Sequence, residues 1–514
     1  MKTLKHFKDK NEMKLKTISK FVLGAVCGSL LTISIYATAD DNSDAYPMST
    51  SSKAGSIPVD EVNNFARVYA IAKNYYVESV TDSKLMKGAI NGMLNNLDPH
   101  SDYLDADDFK QLSEMTAGSF AGLGIEVSRD KGDGVKVVAP IYGTPAYVAG
   151  IKSGDLIVKI DDTPVSGLSL DDAIKRMRGK AGTKVRLSVV RASELKPLSF
   201  TITRANIQIR SVKSAMLAPD YGYIRITNFQ ADTSNELANA LNKLYKADPT
   251  MKGIVLDLRD DPGGLLQSAV GVSGAFLPKN SLVVYTDGRL PSSRQKFFAK
   301  PDDYDIDGTQ EAKLNSVPPV FKTLPMVVLV NQGTASASEI VSGALQDYKR
   351  ARILGTKTFG KGSVQTVIPL SNDTAVKLTT ALYYTPKGRS IQAEGIKPDI
   401  IIQSEYDDLL NSWDMSEASL DKHLDNPVDS GKAKTASKTD SSVPVIRPSK
   451  QIATQAELKA KMNAKLKQQP KVVDQSQAQV SLNDDFQLMW ALNILEGKPI
   501  PASATTQASP KKTK

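Results

Sequence analysis

Cysteine is almost missing from this chain: there is one, Cys27, in 514 residues. It lies inside an apolar stretch near the N-terminus, and the preceding Val26 is not the small residue that a lipoprotein signal requires. Beyond that stretch, disulfides, a thiol nucleophile and a cysteine-based metal site are excluded. Histidine is nearly as scarce. His6 precedes the apolar stretch, His423 sits in a weakly organised C-terminal part, and His100 follows a helical pattern that stops at Asp98-Pro99. None falls in the segment read below as an α/β core, so a Ser-His-Asp triad would have to borrow His100 from another module. The sequence also lacks a purine-binding fingerprint, a metal cluster and a paired-acid motif.

Charge is less informative than the net +9 implies. Residues 432–471 hold ten Lys or Arg against Asp440 and Glu457, which accounts for eight of the nine charges. The rest of the chain is nearly balanced, and the basic segment reads as a solvated linker rather than a nucleic-acid surface. At the other end, Lys14, Lys16 and Lys20 precede the apolar run 21–37, and Ala37-Thr38-Ala39 has the spacing of a signal-peptidase site. Residues 1–39 are therefore expected to direct export to the periplasm, with cleavage after Ala39. A run of 17 residues is near the lower limit for spanning a bilayer, so an uncleaved inner-membrane anchor is the alternative.

Residues 40–58 read as a spacer, and 59–112 as a small helical module in which Val62, Phe65, Val68, Tyr69 and Ala72 recur at helical spacing. From about 113 to 205 the period shortens. Leu123, Ile125 and Val127 alternate, as do Val185, Leu187 and Val189, with a helix between at Leu170–Met177; this is a compact β-rich domain. Residues 206–404 alternate buried strands (Gly253–Leu258, Met326–Val330) with helical stretches (Leu265–Phe276, Ala337–Tyr348), which predicts an α/β core with a mostly parallel sheet. After a linker over 405–480, a short amphipathic helix at Asp484–Leu495, within 481–498, must dock on something because alone it is marginal in water. Packing back on the core and pairing with N-terminal helices of another subunit are both open. Residues 499–514 read as a tail.

Within the core, Ser336 lies between the turn Gly333-Thr334-Ala335 and a helix beginning at Ala337, facing orphan N–H groups and the positive end of the helix dipole. The Ala337 N–H is a candidate donor to an oxyanion. Ser338 is the rival hydroxyl, Thr334 a weaker one, and an N-cap serine the bland explanation. Gly263 and Gly264, in the loop after Gly253–Leu258, are candidates for a second oxyanion donor, since glycine lets an amide approach a crowded carbonyl. With no core histidine, the base falls to lysine. Lys361 is flanked by Gly360 and Gly362 beside Phe359. Burial would lower its amine by about 2–3 units from ~10.4, at a cost of roughly 3–4 kcal/mol, and the neutral amine could then take a serine proton. Gln365 offers a carbonyl oxygen to orient that amine without adding a charge.

These residues resemble the C-terminal processing peptidases, or tail-specific proteases. Thr334-Ala335-Ser336-Ala337-Ser338-Glu339 is similar to the family's nucleophile motif, and Phe359-Gly360-Lys361-Gly362-Ser363-Val364-Gln365 to its base motif. The resemblance makes Ser336 the nucleophile, Lys361 the base and Gln365 its orienting partner, with no cofactor or metal. The loop Asp257-Leu258-Arg259-Asp260-Asp261-Pro262-Gly263-Gly264 is similar to the oxyanion loop, with Asp260 and Asp261 where Asn or Gly is usual; this is tolerable if both side chains point away from the cleft. The resemblance further implies a mixed α/β fold with a crotonase/Clp-like protease core, an inserted PDZ domain and the N-terminal helical module. Gly122-Leu123-Gly124-Ile125 would be the carboxylate-binding loop of that PDZ domain and Arg178 a gating residue. Leu97-Asp98-Pro99-His100-Ser101 is also a family sequence, which makes His100 structural. Implied partners are proteins with accessible C-terminal tails, a lipoprotein adaptor as in some relatives, and further copies of the chain through the terminal helices. The competing class is a non-enzymatic exported PDZ scaffold, against which the joint presence of Ser336, Lys361 and Gln365 argues.

Overall fold

The computed structural model of the protein describes residues 58–129, 134–403, 415–427, 443–447 and 485–500. The signal-like stretch with Cys27, nearly all of the basic linker and the tail after 500 lie outside the described residues. Among those described, no helix is long and apolar enough to cross a membrane.

Three helices, Val59–Tyr75, Asp82–Asn95 and Ala106–Ala117, open the described chain. Thr81 and Asp105 cap the second and third, each accepting an N–H from the first turn, and Gly118 ends the third in the left-handed region (φ 68°). The first helix buries no residue and leaves Val62, Phe65, Val68 and Ile71 exposed. Between the second and third, Asp102–Leu104 forms a short strand antiparallel to the start of Ala375–Tyr384. That pairing ties the helical module to the core.

The β-rich domain is an antiparallel sheet in which Ile125–Arg129, Val135–Pro140, Leu156–Ile160, Lys184–Val190 and Leu198–Thr203 lie side by side in that order. Along Lys184–Val190 the alternation has its physical consequence: Val185, Leu187 and Val189 are buried while Lys184 and Arg186 are exposed. The helix Leu170–Met177, capped by Ser169, adds Ala173 and Met177 to this core.

The largest unit is a seven-stranded sheet ordered Val212–Ala218, Tyr221–Ile226, Gly253–Asp257, Met326–Val330, Arg352–Gly355, Ile400–Ile402, Val445–Ile446. Its first pair is antiparallel and every later pair parallel. Successive residues point to opposite faces, and both faces are covered. Ile254, Leu256, Val328 and Val330 share a core with residues of helices Thr233–Ala247, Leu266–Phe276 and Ala337–Asp347. Val255, Val327 and Leu329 pack on Leu488 and Ala491 of the helix Phe486–Leu495, which docks back on its own core.

The expectation of a crotonase/Clp-like core is corrected by what stands beside this sheet. A second, wholly antiparallel five-stranded sheet is built from Asp102–Leu104, Ala375–Tyr384, Leu282–Gly288 and Lys296–Phe298, with Ser363–Pro369 on the other side of Ala375–Tyr384. The physical cause is the pairing of Ala375–Tyr384, at ten residues the longest strand of the sheet, with three others at once. The core is a mixed α/β unit with two sheets, and the candidate site lies where they meet.

Candidate active site

Two loops leave the carboxyl ends of the adjacent parallel strands Gly253–Asp257 and Met326–Val330, the crevice where open α/β sheets place ligands. Hydrogen bonds stitch them together. The Thr334 hydroxyl donates to the Leu258 carbonyl (2.8 Å), the Ala335 N–H to the Asp261 carbonyl (3.0 Å), and the Ser338 hydroxyl to the same carbonyl (3.0 Å).

Ser336 emerges from this seam with φ 57° and ψ −115°, a conformation that costs a residue with a Cβ about 1–3 kcal/mol. Its surroundings over-determine it. The Ser336 N–H donates to Glu339 Oε2 (2.8 Å), and its carbonyl accepts from the Glu339 N–H (2.8 Å), the Ile340 N–H (3.0 Å) and the Tyr383 hydroxyl (3.0 Å).

Glu339 is fully buried, and four donors converge on its carboxylate. Thr358 Oγ1 and the Gly360 N–H (2.8 Å) reach Oε1; the N–H groups of Ser336 (2.8 Å) and Lys361 (3.0 Å) reach Oε2. The backbones of Ser336 and Lys361 thus meet on one oxygen. Tyr383 repeats the link, its hydroxyl lying within hydrogen-bond reach of the carbonyls of both. Burial raises the Glu339 pKa to about 7 against the pull of its donors, and keeps the Tyr383 hydroxyl protonated.

Lys361 is fully buried at the entry to Ser363–Pro369. Gly360 (φ 98°) and Gly362 are required there, since a Cβ on Gly362 would lie 2.5 Å from the Gln392 nitrogen. The Lys361 amine donates to Gln365 Oε1. Gln365 Nε2 donates to Ser363 Oγ and Thr379 Oγ1, each at 3.1 Å, which fixes the amide with its oxygen towards the lysine. Burial lowers the lysine pKa to about 7, with Lys377 in support and Glu417, Asp98 and Glu339 opposing.

The glycine loop runs against the serine. A Cβ on Gly263 (φ 97°) would lie 2.7 Å from the Ala335 carbonyl oxygen and 2.8 Å from both Ala337 N and Ser336 Cβ. Gly264 (φ 145°) is held in a bridge to Phe229. The Gly263 N–H, however, donates to Asp261 Oδ1 (2.9 Å). Of the two acids that stand where Asn or Gly is usual, Asp260 is exposed and bonded to Asn331, whereas Asp261 is fully buried. Burial raises the Asp261 pKa well above the usual carboxylate range, and among the described residues its Oδ2 has no hydrogen-bond partner.

In the β-rich domain, Gly122 closes the strand Ser119–Gly122, Leu123 is buried, and Gly124 (φ 76°) passes so near Thr144 that a Cβ would lie 2.3 Å away. Ile125 opens Ile125–Arg129, an edge strand paired on one side only. Arg178 binds Glu114 of the helical module (2.6 Å) and lies 4.9 Å over the Phe120 ring. Neither of these contacts brings Arg178 to Ser336 or Lys361.

Sequence reasoning missed four residues here. Glu339 was legible, because a glutamate three residues after a serine cap is a capping-box spacing. Tyr383, Asp261 as a ligand of Gly263, and Glu417 gave no local signal; each acts through contacts that only the fold creates.

Residues 220–402 match the model of peptidase family S41, residues 136–191 that of a PDZ domain, and residues 21–108 that of the N-terminal domain of the activating protease CtpB. The chain is 43% identical over 376 residues to the carboxy-terminal-processing protease of Bartonella bacilliformis, covering 72% of this chain and 82% of that one. It is 38% identical over 351 residues to a probable CtpA-like serine protease of Staphylococcus aureus, covering 68% and 66%. Among solved structures, the photosystem II D1 C-terminal processing protease is 31% identical with a TM-score of 0.37, covering 66% of this chain and 86% of that one. A putative S41 protease from Bacteroides fragilis is 16% identical with a TM-score of 0.40, covering 65% and 89%. The S41 match over the core replaces the crotonase/Clp-like description.

Proposed function

Because this chain belongs to the carboxy-terminal-processing proteases of peptidase family S41, serine-type endopeptidases, and carries a PDZ domain, we propose that Ser336 is its nucleophile, Lys361 its general base and Gln365 the residue that orients the base. The observation that carries this reading is the buried Lys361 amine, lowered to about 7 and bonded to a fixed amide oxygen, in a loop that shares Glu339 and Tyr383 with Ser336.

Ser336 Oγ attacks the scissile carbonyl carbon as its proton passes to the neutral Lys361 amine. The carbonyl oxygen becomes an oxyanion, for which the N–H groups of Ala337, Gly263 and Gly264 are the candidate donors. The intermediate then collapses: the C–N bond breaks, the Lys361 ammonium protonates the leaving amine, and water hydrolyses the acyl-serine by the same proton route in reverse. Gly263 would have to leave Asp261 to serve as a donor, since its amide is engaged.

The substrate is a protein with an accessible C-terminal tail. Its last residues would add as a strand along the free edge of Ile125–Arg129, with the carboxylate at Gly122-Leu123-Gly124-Ile125. Arg178 would be the gating residue, and its ion pair with Glu114 joins the PDZ domain to the helical module. The exported location, a lipoprotein adaptor and self-association complete the reading; the exposed apolar residues of Val59–Tyr75 support the last at the N-terminal helix, since Phe486–Leu495 is docked on its own core. The test is cleavage of an unfolded protein of defined C-terminus by wild type, Ser336→Ala and Ser338→Ala. Ser336→Ala is expected to lose cleavage and Ser338→Ala to retain it; full activity in Ser336→Ala would overturn the assignment.

A further inference from the structure

The base loop is held from behind by a part of the molecule far from it in sequence. In the turn that closes the second N-terminal helix, Asp98 Oδ1 accepts the N–H groups of His100 (2.8 Å) and Ser101 (3.0 Å), and its Oδ2 accepts the Ser101 hydroxyl (2.7 Å). The turn is buried at Asp98, His100 and Ser101. Two chains of hydrogen bonds run from it to Lys361.

The first passes through side chains. Thr379 Oγ1 donates to Asp98 Oδ1 (3.0 Å) and accepts from Gln365 Nε2 (3.1 Å), and Gln365 Oε1 receives the Lys361 amine. A threonine hydroxyl has one proton. That proton is committed to Asp98 Oδ1, which already accepts two N–H groups, and Thr379 must accept from Gln365. The Gln365 amide is thereby forbidden to flip, and its oxygen faces the lysine.

The second passes through the C-terminal extension. His100 Nε2 lies 2.9 Å and 3.0 Å from the two oxygens of Glu417, which is fully buried. Glu417 Oε1 accepts from Gln392 Nε2 (3.0 Å), and Gln392 Oε1 accepts the Gly362 N–H (2.9 Å). The Glu417 N–H donates to the Phe359 carbonyl (3.0 Å). The backbone on both sides of Lys361 is therefore clamped from the same acid.

We propose that Asp98 and His100, acting through Thr379 and Glu417, are positioning residues for the base, so that the N-terminal module and residues 415–427 belong to the working catalytic unit rather than to its periphery. The proposal rests on Lys361 being that base. The two arms have different signatures. The Thr379 arm controls the direction of the Gln365 amide and hence the rate of proton transfer. The Glu417 arm also carries charge: with Asp98 and Glu339 it stabilises the Lys361 ammonium, against burial and Lys377. His100 and Lys361 face Glu417 in turn and, with the Gln392 bond, keep it ionised in spite of its burial.

The experiment uses the full chain and cleavage of an unfolded protein, with kcat, KM and the pH profile of kcat/KM for wild type, Lys361→Ala, Thr379→Val, Thr379→Ser and Glu417→Gln. Thr379→Val keeps the volume and is expected to lower kcat by about 10–100-fold at unchanged KM, with Thr379→Ser restoring most of it. Glu417→Gln keeps hydrogen-bonding capacity but removes the charge, and is expected to move the acidic limb of the profile by about one pH unit towards acid. A merely structural role would lower the folded fraction and leave that limb in place. Wild-type cleavage by Lys361→Ala would overturn the base assignment itself. An inactive Lys361→Ala, together with wild-type kcat in Thr379→Val and an unmoved limb in Glu417→Gln, would overturn the positioning proposal alone.

Discussion

The candidate nucleophile and the candidate base come from sheets of opposite kind. Ser336 stands at the end of a parallel strand whose five residues are all buried, in a strained conformation fixed by neighbours on its own loop and helix. Lys361 stands at the start of an antiparallel strand whose partners come from residues 375–384, with further support from Asp98 and Glu417. The serine is held mostly by its own loop and helix, with Tyr383 reaching in from the second sheet, and the lysine has more of its support from afar. A site divided in this way keeps a stiff nucleophile while leaving its base open to influence from remote segments.

The comparison breaks most completely at Lys361. Lys361→Met is expected to abolish cleavage while raising stability, because an amine displaced to about 7 from 10.5 opposes folding. The unfolded chain holds that proton up to pH 10.5 whereas the folded one releases it near 7, so stability rises with pH across that window. Below pH 7 the penalty is about 4–5 kcal/mol, and Lys361→Met should recover about 2–4 kcal/mol at pH 6 once the Gln365 bond is lost. Chemical denaturation at pH 6 and pH 10 checks both sign and window; equal stability of wild type and variant at pH 6 would contradict the buried-amine account.

Glu339→Gln attacks the joint between the two sheets. One carboxylate oxygen becomes a donor facing two donors, so a loss of about 2–4 kcal/mol and at least a tenfold fall in kcat are expected. Denaturation midpoints and kcat at saturating substrate measure these. Leu488→Ala has the smallest expected effect on cleavage. It empties a fully buried position behind the parallel sheet at a cost of about 2–4 kcal/mol, yet touches neither loop, so activity of the folded fraction should change less than twofold.

The same division decides what could be read from the sequence. Met326–Val330 and Leu170–Met177 form over the residues whose patterns announced them, because burial on both faces and an amphipathic turn are local properties of composition. The motif around Ser336 was legible for the same reason. The antiparallel sheet is assembled from strands far apart in the chain. They include a three-residue strand at Asp102–Leu104, too short to show a period, and pairs joined across more than 250 residues of chain. His100 could be called structural, but no pattern could announce that its ring meets Glu417 more than 300 residues away. The two acids were judged tolerable on condition that they pointed away from the cleft, since only the loop's backbone was considered; the Asp261 carboxylate instead accepts the Gly263 N–H.

The docking of Phe486–Leu495 also has a consequence for how the molecule comes into being. The outer face of the parallel sheet, with Val255, Val327 and Leu329, is covered by Leu488 and Ala491, and a Cβ on Gly253 would lie 3.1 Å from Leu495. Those covering residues are synthesised well after the strands they shield. Arg259 records the same order: beside Asp257 it also binds Asp485 at 2.7 Å, so a loop next to the serine completes its ion pairs only when the end of the chain arrives. A nascent or truncated chain therefore presents an apolar sheet face with no cover, the kind of surface on which aggregation begins and chaperones act.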